Sequence, residues 1–366
     1  MLDVRELISE LIRQRENSLD IVVPTNSMHA HPLALREGHQ EVVIDMPAGE
    51  DKMITVPATR YAHGQIAEKC GIPMKYYDKC LDTAGGEQIL ADQVNFWMPK
   101  KERRLVRILD GQMRALLSDQ YRIIDNYDVV FSALDQFSKF DLDIHQCELT
   151  ETRMYIKAYL PHKETIVRAG GQDLQIYPGL VLSNSEVGAS RVRVEPSLLN
   201  VGCKNIFIAG AQFKATHLGS RLDEGIRWKD DTLKASDEAL FKQIRDTIDT
   251  AFSPQVITET ISRLTTGVTN AIDSPTLAVR AIGGVYNISE DRREKLLDLF
   301  SKEPSKTQFG LANAFSEFAH TITEDQDDVV DFERNAYEIA ALPPEKFNKI
   351  LAAEAKQVEI AEIMVR

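Results

Sequence analysis

The segment Arg153-Met154-Tyr155-Ile156-Lys157-Ala158-Tyr159-Leu160 alternates without a break between apolar residues and residues that are basic or aromatic. Successive side chains of a β-strand point to opposite faces, so this alternation specifies a strand with one core face. Met154, Ile156, Ala158 and Leu160 enter the core, and Arg153, Tyr155, Lys157 and Tyr159 share the other side. Arg191-Val192-Arg193-Val194 repeats the arrangement with two arginines against two valines. Short apolar or alternating runs at 105–109, 114–118 and 174–182 extend the strand-rich stretch from about Leu105 to Val201.

Helical patterns lie on both sides of this region. Leu2, Leu7, Ile8, Leu11 and Ile12 recur at helical spacing between Met1 and Arg15. The stretch from Pro24 to Glu41 has no period and reads as a loop. Glu41–Asp45 and Met53–Val56 read as paired strands around the turn signal Pro47-Ala48-Gly49. Thr59 is placed to cap a helix that ends at Gly71, and Pro73 to open a second one reaching Leu81. Leu222 to Phe252 is helical in composition until Pro254. Helices are expected at about 275–285, 289–300, 307–320, 325–341 and 344–365. The fold class is therefore α+β, a mainly antiparallel sheet core flanked by helices, with an all-α acidic C-terminal part. The boundary falls at 245, giving a core over 1–245 and a helical region over 246–366.

Charge bounds the function. A net charge of −13 argues against a broadly basic nucleic-acid coat. The charge is uneven, however. Residues 286–366 hold 17 acidic and 10 basic side chains, whereas 97–122 hold 7 basic and 3 acidic ones. No apolar run approaches the roughly 20 residues that span a bilayer, and the N-terminus lacks a signal-peptide apolar core. A soluble protein of the cytoplasm is expected, without a membrane partner. The four cysteines form no CxxC pair and read as reduced thiols.

Basic groups interleaved with rings on one sheet face match a platform for single-stranded nucleic acid, where cations follow phosphates and rings stack on bases. The same pattern also suits a solvated sheet face, with Tyr and Lys present for strand propensity and snorkelling. Ala67, Gly71 and Ile72 have the spacing of a helix-turn-helix corner, but the second helix is short and poor in base-edge readers, so a plain helical hairpin is the better reading. His29 and His31 lack further ligands at metal spacing. Glu186 with His217, a lone Cys203, and the Asp325, Asp327, Asp328 cluster are the other candidates for chemistry. Neither a P-loop nor a GxGxxG frame occurs.

Two stretches carry a resemblance. Gln112 to Asn126, QMRALLSDQYRIIDN, is similar to one signature of the phage- and plasmid-borne family of unknown function DUF 932. Leu180 to Ser190, LVLSNSEVGAS, resembles another, continuing through Val194, Pro196, Cys203-Lys204-Asn205 and His217-Leu218-Gly219. Thr307 to Ala314 resembles the family's C-terminal part, so the resemblance covers about residues 58–320. It implies a mobile-element protein in a bacterial cytoplasm and supplies no catalytic residue. At fold level it is also analogous to the phage single-strand annealing recombinases.

The resulting expectation is a phage or plasmid protein that binds single-stranded DNA in replication and recombination, with strand annealing as a further step. Arg153, Lys157, Arg191 and Arg193 would hold phosphates, with Tyr155 and Tyr159 stacking on bases. Arg104, Arg107, Arg114, Arg122 and Lys214 would extend the path. The reading uses no cofactor, metal or catalytic residue, and expects a homo-oligomer with host or phage replication proteins as further partners. The acidic helical tail would dock such partners or shield the groove. The alternative is an acidic interaction protein directed at a host defence or replication factor. One continuous basic, ring-lined groove favours DNA, and scattered Arg–Asp pairs favour the protein partner.

Overall fold

A computed structural model of the chain describes residues 3–34, 40–49, 52–100, 102–169, 172–200, 204–210, 213–215, 230–322 and 325–365. The first helix, α1 (Val4–Asn17), opens with a capping box in which Asp3 and Glu6 satisfy each other's backbone N–H. Strands β1 (Ser18–Pro24), β2 (His29–Ala34), β3 (Gln40–Pro47) and β4 (Met53–Pro57) follow. The stretch expected to be a loop thus contains β2, which pairs with β3. Pro32 hides this strand in the sequence. It is tolerated because β2 is an edge strand of the sheet β2-β3-β4.

Helix α2 (Arg60–Cys70) is capped by Thr59 and stopped by Gly71, whose φ of 66° is the left-handed conformation a glycine adopts without strain. The helices α3 (Met74–Leu81) and α4 (Gly86–Trp97) complete the N-terminal layer. Strands β5 (Arg103–Leu109) and β6 (Gln112–Ser118) join β1 in a second three-stranded sheet. The helix α5 (Asn126–Lys139) lies inside the region read as strands, because its Val129, Val130 and Phe131 carry strand propensity.

The large sheet contains β7 (Asp143–Leu149), β8 (Met154–Tyr159), β9 (Thr165–Ala169), β10 (Gln172–Asn184), β11 (Val192–Asn200), β12 (Asn205–Ile208) and β13 (Phe213–Ala215). Its order is β12-β11-β10-β8-β7, with β13 on β11 and β9 on β10. Every pairing of these strands is antiparallel. Among the described residues seven α-helices follow: α6 (Asp230–Ala251), α7 (Pro254–Leu264), α8 (Pro275–Val285), α9 (Glu290–Lys302), α10 (Gln308–Ala319), α11 (Gln326–Ala341) and α12 (Pro344–Val365). The α+β class and the helical C-terminal part are those read from the sequence. Among the described residues, no helix is long and apolar enough to cross a membrane.

Hydrophobic burial divides between the sheet's two faces. Met154, Ile156, Leu182, Val192 and Val194 pack with α1, α5 and α6. Val181, Leu199, Ile206 and Ile208 face the other way and meet Val330 of α11. Ile176, Leu198 and Phe207 enter the core of the C-terminal helices. The helical part therefore shares its core with the sheet, and α6 crosses residue 245 without a break.

Candidate nucleic-acid interface

Strands β8 and β11 do lie in one sheet, on either side of β10. Tyr155, Ser183, Arg193 and Lys214 form one cross-strand row, and Lys157, Val181 and Glu195 form the next. The basic and aromatic residues therefore share a face, as their alternation requires. That face is closed. Helix α11 lies on it with Asp327, Val330, Glu333 and Arg334 at spacings of three and four, one stripe of the helix.

The stripe answers the sheet residue by residue. Lys157 donates to both carboxylate oxygens of Glu333 at 2.7 Å, and both side chains are buried. Tyr155 is 2% exposed and donates to Asp327 at 2.6 Å. Burial, followed by this hydrogen bond, raises the Tyr155 pKa above that of an ordinary phenol. Arg153 is 3.0 Å from Asp327 and also donates to the Ala189 carbonyl at 3.1 Å. Running in the opposite sense, Arg334 reaches down to Glu195 at 2.6 and 2.9 Å. Tyr159 lies at the strand end, half-buried, with its hydroxyl 3.3 Å from Asp143 and its ring against Tyr177. The expectation of stacking and phosphate contacts on Tyr155 and Lys157 is corrected here: neither side chain reaches solvent while α11 is in place.

The upstream arginines are likewise committed. Arg107, 1% exposed, donates to Asp20 at 2.9 and 3.0 Å, to Asp125 at 2.6 Å and to the Glu186 carbonyl at 3.0 Å. Burial works against its charge, but Asp125, Asp20 and Glu186 outweigh burial and hold its pKa above the ordinary value. Arg114 meets Glu186 at 2.6 Å, whose other oxygen accepts from the backbone N–H of Asn126 at the start of α5. Arg122 binds Asp237 of α6, and Arg104 is held by Glu102. Arg114 and Arg122 each meet an acid distant in sequence. Those of Arg107, Arg114 and Arg122 are clamps between elements, the Arg104 pair is local, and the four do not form an exposed path.

The two signature stretches converge on this network. Asn184 donates to the Ile124 carbonyl and to the Asn126 side chain, and Tyr121 donates to the Ser185 carbonyl. Gly188 adopts a φ of 83°, and an added Cβ would lie 2.8 Å from Leu117. The network forms the floor of a cavity of about 340 Å³, lined among others by Arg114, Asn126, Glu186, Thr150, Glu151 and Arg153.

Three of the predicted residues remain free of these clamps. Arg191 and Lys214 are exposed and Arg193 is half-buried. No ion pair holds any of them among the described residues, and the buried Nε of Arg193 has no partner. His31 pairs with Asp45 at 2.7 Å, while Asp328 pairs with Arg292. No group of three or more potential metal ligands occurs among the described residues. Cys203, His217, Arg221, Arg227 and Lys229 lie outside the described residues.

Sequence reading missed the acids of α11 as partners of β8, although the Asp327, Val330, Glu333, Arg334 stripe carried the signal of a charged helix face that has to be satisfied on burial. It also missed α4. No family model matches this sequence, and neither a curated protein nor a solved structure matches it.

Proposed function

We propose that the protein binds single-stranded nucleic acid through cations at β11 and β13 of its large sheet, which no acid of α11 holds. The carrying observation is the register of Arg193 directly opposite Lys214. Like charges facing each other across a strand pair are unfavourable by up to about 1 kcal/mol. Here no carboxylate among the described residues relieves them. A phosphate between them would, and exposed Arg191 extends the row by two residues. The setting in a phage or plasmid, in a bacterial cytoplasm, rests on the resemblance of Gln112–Asn126 and Leu180–Ser190, and belongs to the same proposal. Strand annealing and self-assembly are further steps of it.

Fluorescence anisotropy with a labelled oligodeoxythymidine tests the reading. Binding should weaken with salt, with a slope of log K against log[salt] near −2 for about three phosphates on a single strand. The Arg191→Ala/Arg193→Ala/Lys214→Ala variant should lose most of it. Undiminished binding in that variant, or none by the native protein at low salt, would sink the proposal.

The second reading is an acidic interaction protein directed at a host factor. It draws support from the clamps, because Arg107, Arg122, Arg153 and Lys157 are spent on internal acids. If the oligonucleotide is not bound at all, this reading leads.

A further inference from the structure

The outer edge of a sheet offers unpaired backbone groups to any other strand, and folded chains cover such edges. This chain covers three of its edges with a dedicated side chain. Asn95 of α4 accepts from the Ala30 N–H of β2 at 2.7 Å and donates to the Ala30 carbonyl at 2.9 Å. Gln65 of α2 accepts from the Leu116 N–H of β6 at 2.7 Å. Ser316 of α10 accepts from the Ile206 N–H of β12 at 3.0 Å and donates to the Ile206 carbonyl at 2.9 Å.

Strand β1 is also an edge, since it pairs with β5 alone. The Asn17 carbonyl accepts from Asp110 and the Thr25 N–H donates to Glu102. The ladder alternates between those two bonds, so Leu19, Ile21 and Val23 bond to β5, and Asp20 and Val22 turn their N–H and C=O outward. None of these outward groups has a partner among the described residues.

The side chains at this edge select the strand that would cover it. Leu19 ends the cross-strand row of Met113 and Ile108 on one face, and Val22 ends the row of Leu117 and Leu105 on the other. Leu19 is 47% and Val22 40% exposed. A strand that completes both rows has to be apolar on both faces, and β1 itself is such a strand. It has no lysine and no bulge, the devices that keep edges apart, and its one proline is its last residue. Its one charged side chain, Asp20, is met by Arg107 at 2.9 Å, so two copies approach here without an unpaired charge on either strand. Antiparallel pairing about Ile21 sets Asp20 opposite Val22 of the second copy, and their outward groups satisfy one another. Centring the pair on Asp20 would oppose two carboxylates. Centring it on Val22 would set Asp20 against Pro24, which has no N–H to give.

We infer that β1 is a self-association edge: two copies join β1 to β1, antiparallel about Ile21, in a two-fold dimer whose three-stranded sheets become one continuous sheet. The inference is independent of nucleic-acid binding and is tested without nucleic acid.

Sedimentation equilibrium of the full chain should show monomer and dimer in exchange. Val22→Pro removes an outward N–H and leaves the bonds to β5, as an edge strand allows. A two-fold axis doubles the loss, so the dissociation constant should rise about 10- to 100-fold. Val22→Lys, which keeps every backbone group, should act in the same direction. Circular dichroism checks that both variants fold. Ile21 would face its own copy in a pair without hydrogen bonds, the closest kind in an antiparallel ladder. Oxidised Ile21→Cys should therefore form a disulfide-linked dimer to a greater extent than Leu19→Cys or the native chain. A native chain that stays monomeric throughout the concentration series, a dimer that the folded Val22 variants retain, or a dimer without the Ile21→Cys cross-link would each overturn the inference.

Discussion

His63 lies inside the N-terminal core with its Nδ1 2.7 Å from the Tyr77 hydroxyl. Burial, and after it the charge of Arg60, pushes its pKa down to about 4. In the unfolded chain the imidazole takes its proton near 6.5. Between those values the unfolded state binds more protons, so stability falls as the pH drops through the window, by about 3 kcal/mol when pH 4 is reached. Urea midpoints at pH 7 and pH 5 should therefore separate more widely for the native protein than for His63→Gln. Equal separations would remove this role for His63. Burial also pushes the Cys70 and Cys147 thiols up to about 11, which keeps them in the neutral form at neutral pH. Residues whose role is local were legible in the sequence: Thr59 as a cap and Gly71 as a stop act within one helix turn. Arg114 was not, because Glu186 stands 72 positions away.

At the scale of elements, the contact of α11 with β8 turns on one buried pair. Burial raises the Glu333 carboxyl pKa, opposed by the Lys157 charge beside it. Removing one member of such a pair costs about 3–5 kcal/mol, whereas replacing both by apolar groups is often neutral. Lys157→Met should lower stability by that amount, and Lys157→Met/Glu333→Leu should recover most of it. Urea denaturation of the four members of the cycle measures this, and a double variant as unstable as the single one would refute it. Where apolar residues recur at the element's own spacing, the element was readable, as in β8, β11 and α8. Helix α7 was not expected because Pro254 reads as a stop. In fact it occupies the first turn of the next helix, with Ser253 as the cap.

For the molecule as a whole, the boundary placed at 245 is not a seam between independent cores. Val167, Ile176, Leu198 and Phe207 of the sheet belong to one cluster with Phe309, Phe315 and Phe332 of the C-terminal helices. A fragment ending at residue 245 would expose that cluster and the whole α11 side of the sheet. It should be protease-sensitive and bind a hydrophobic dye, whereas the full chain should unfold in a single transition. A fragment with a cooperative melt and native near-ultraviolet dichroism would show instead that the two parts fold separately.

Periodicity and local chemistry settled the class of the fold, most of its helices, and which side chains of β8 and β11 share a face, since each depends on neighbours a few residues apart. Whether that face is open or covered depended on α11, more than 170 positions from Tyr155 and Lys157. A period of two says only that Lys157 points away from Ile156. The carboxylate that makes it a clamp, and the exposure that leaves Arg191 and Lys214 in solvent, arise when distant elements compete for the same surface, and only the packed chain decides that competition.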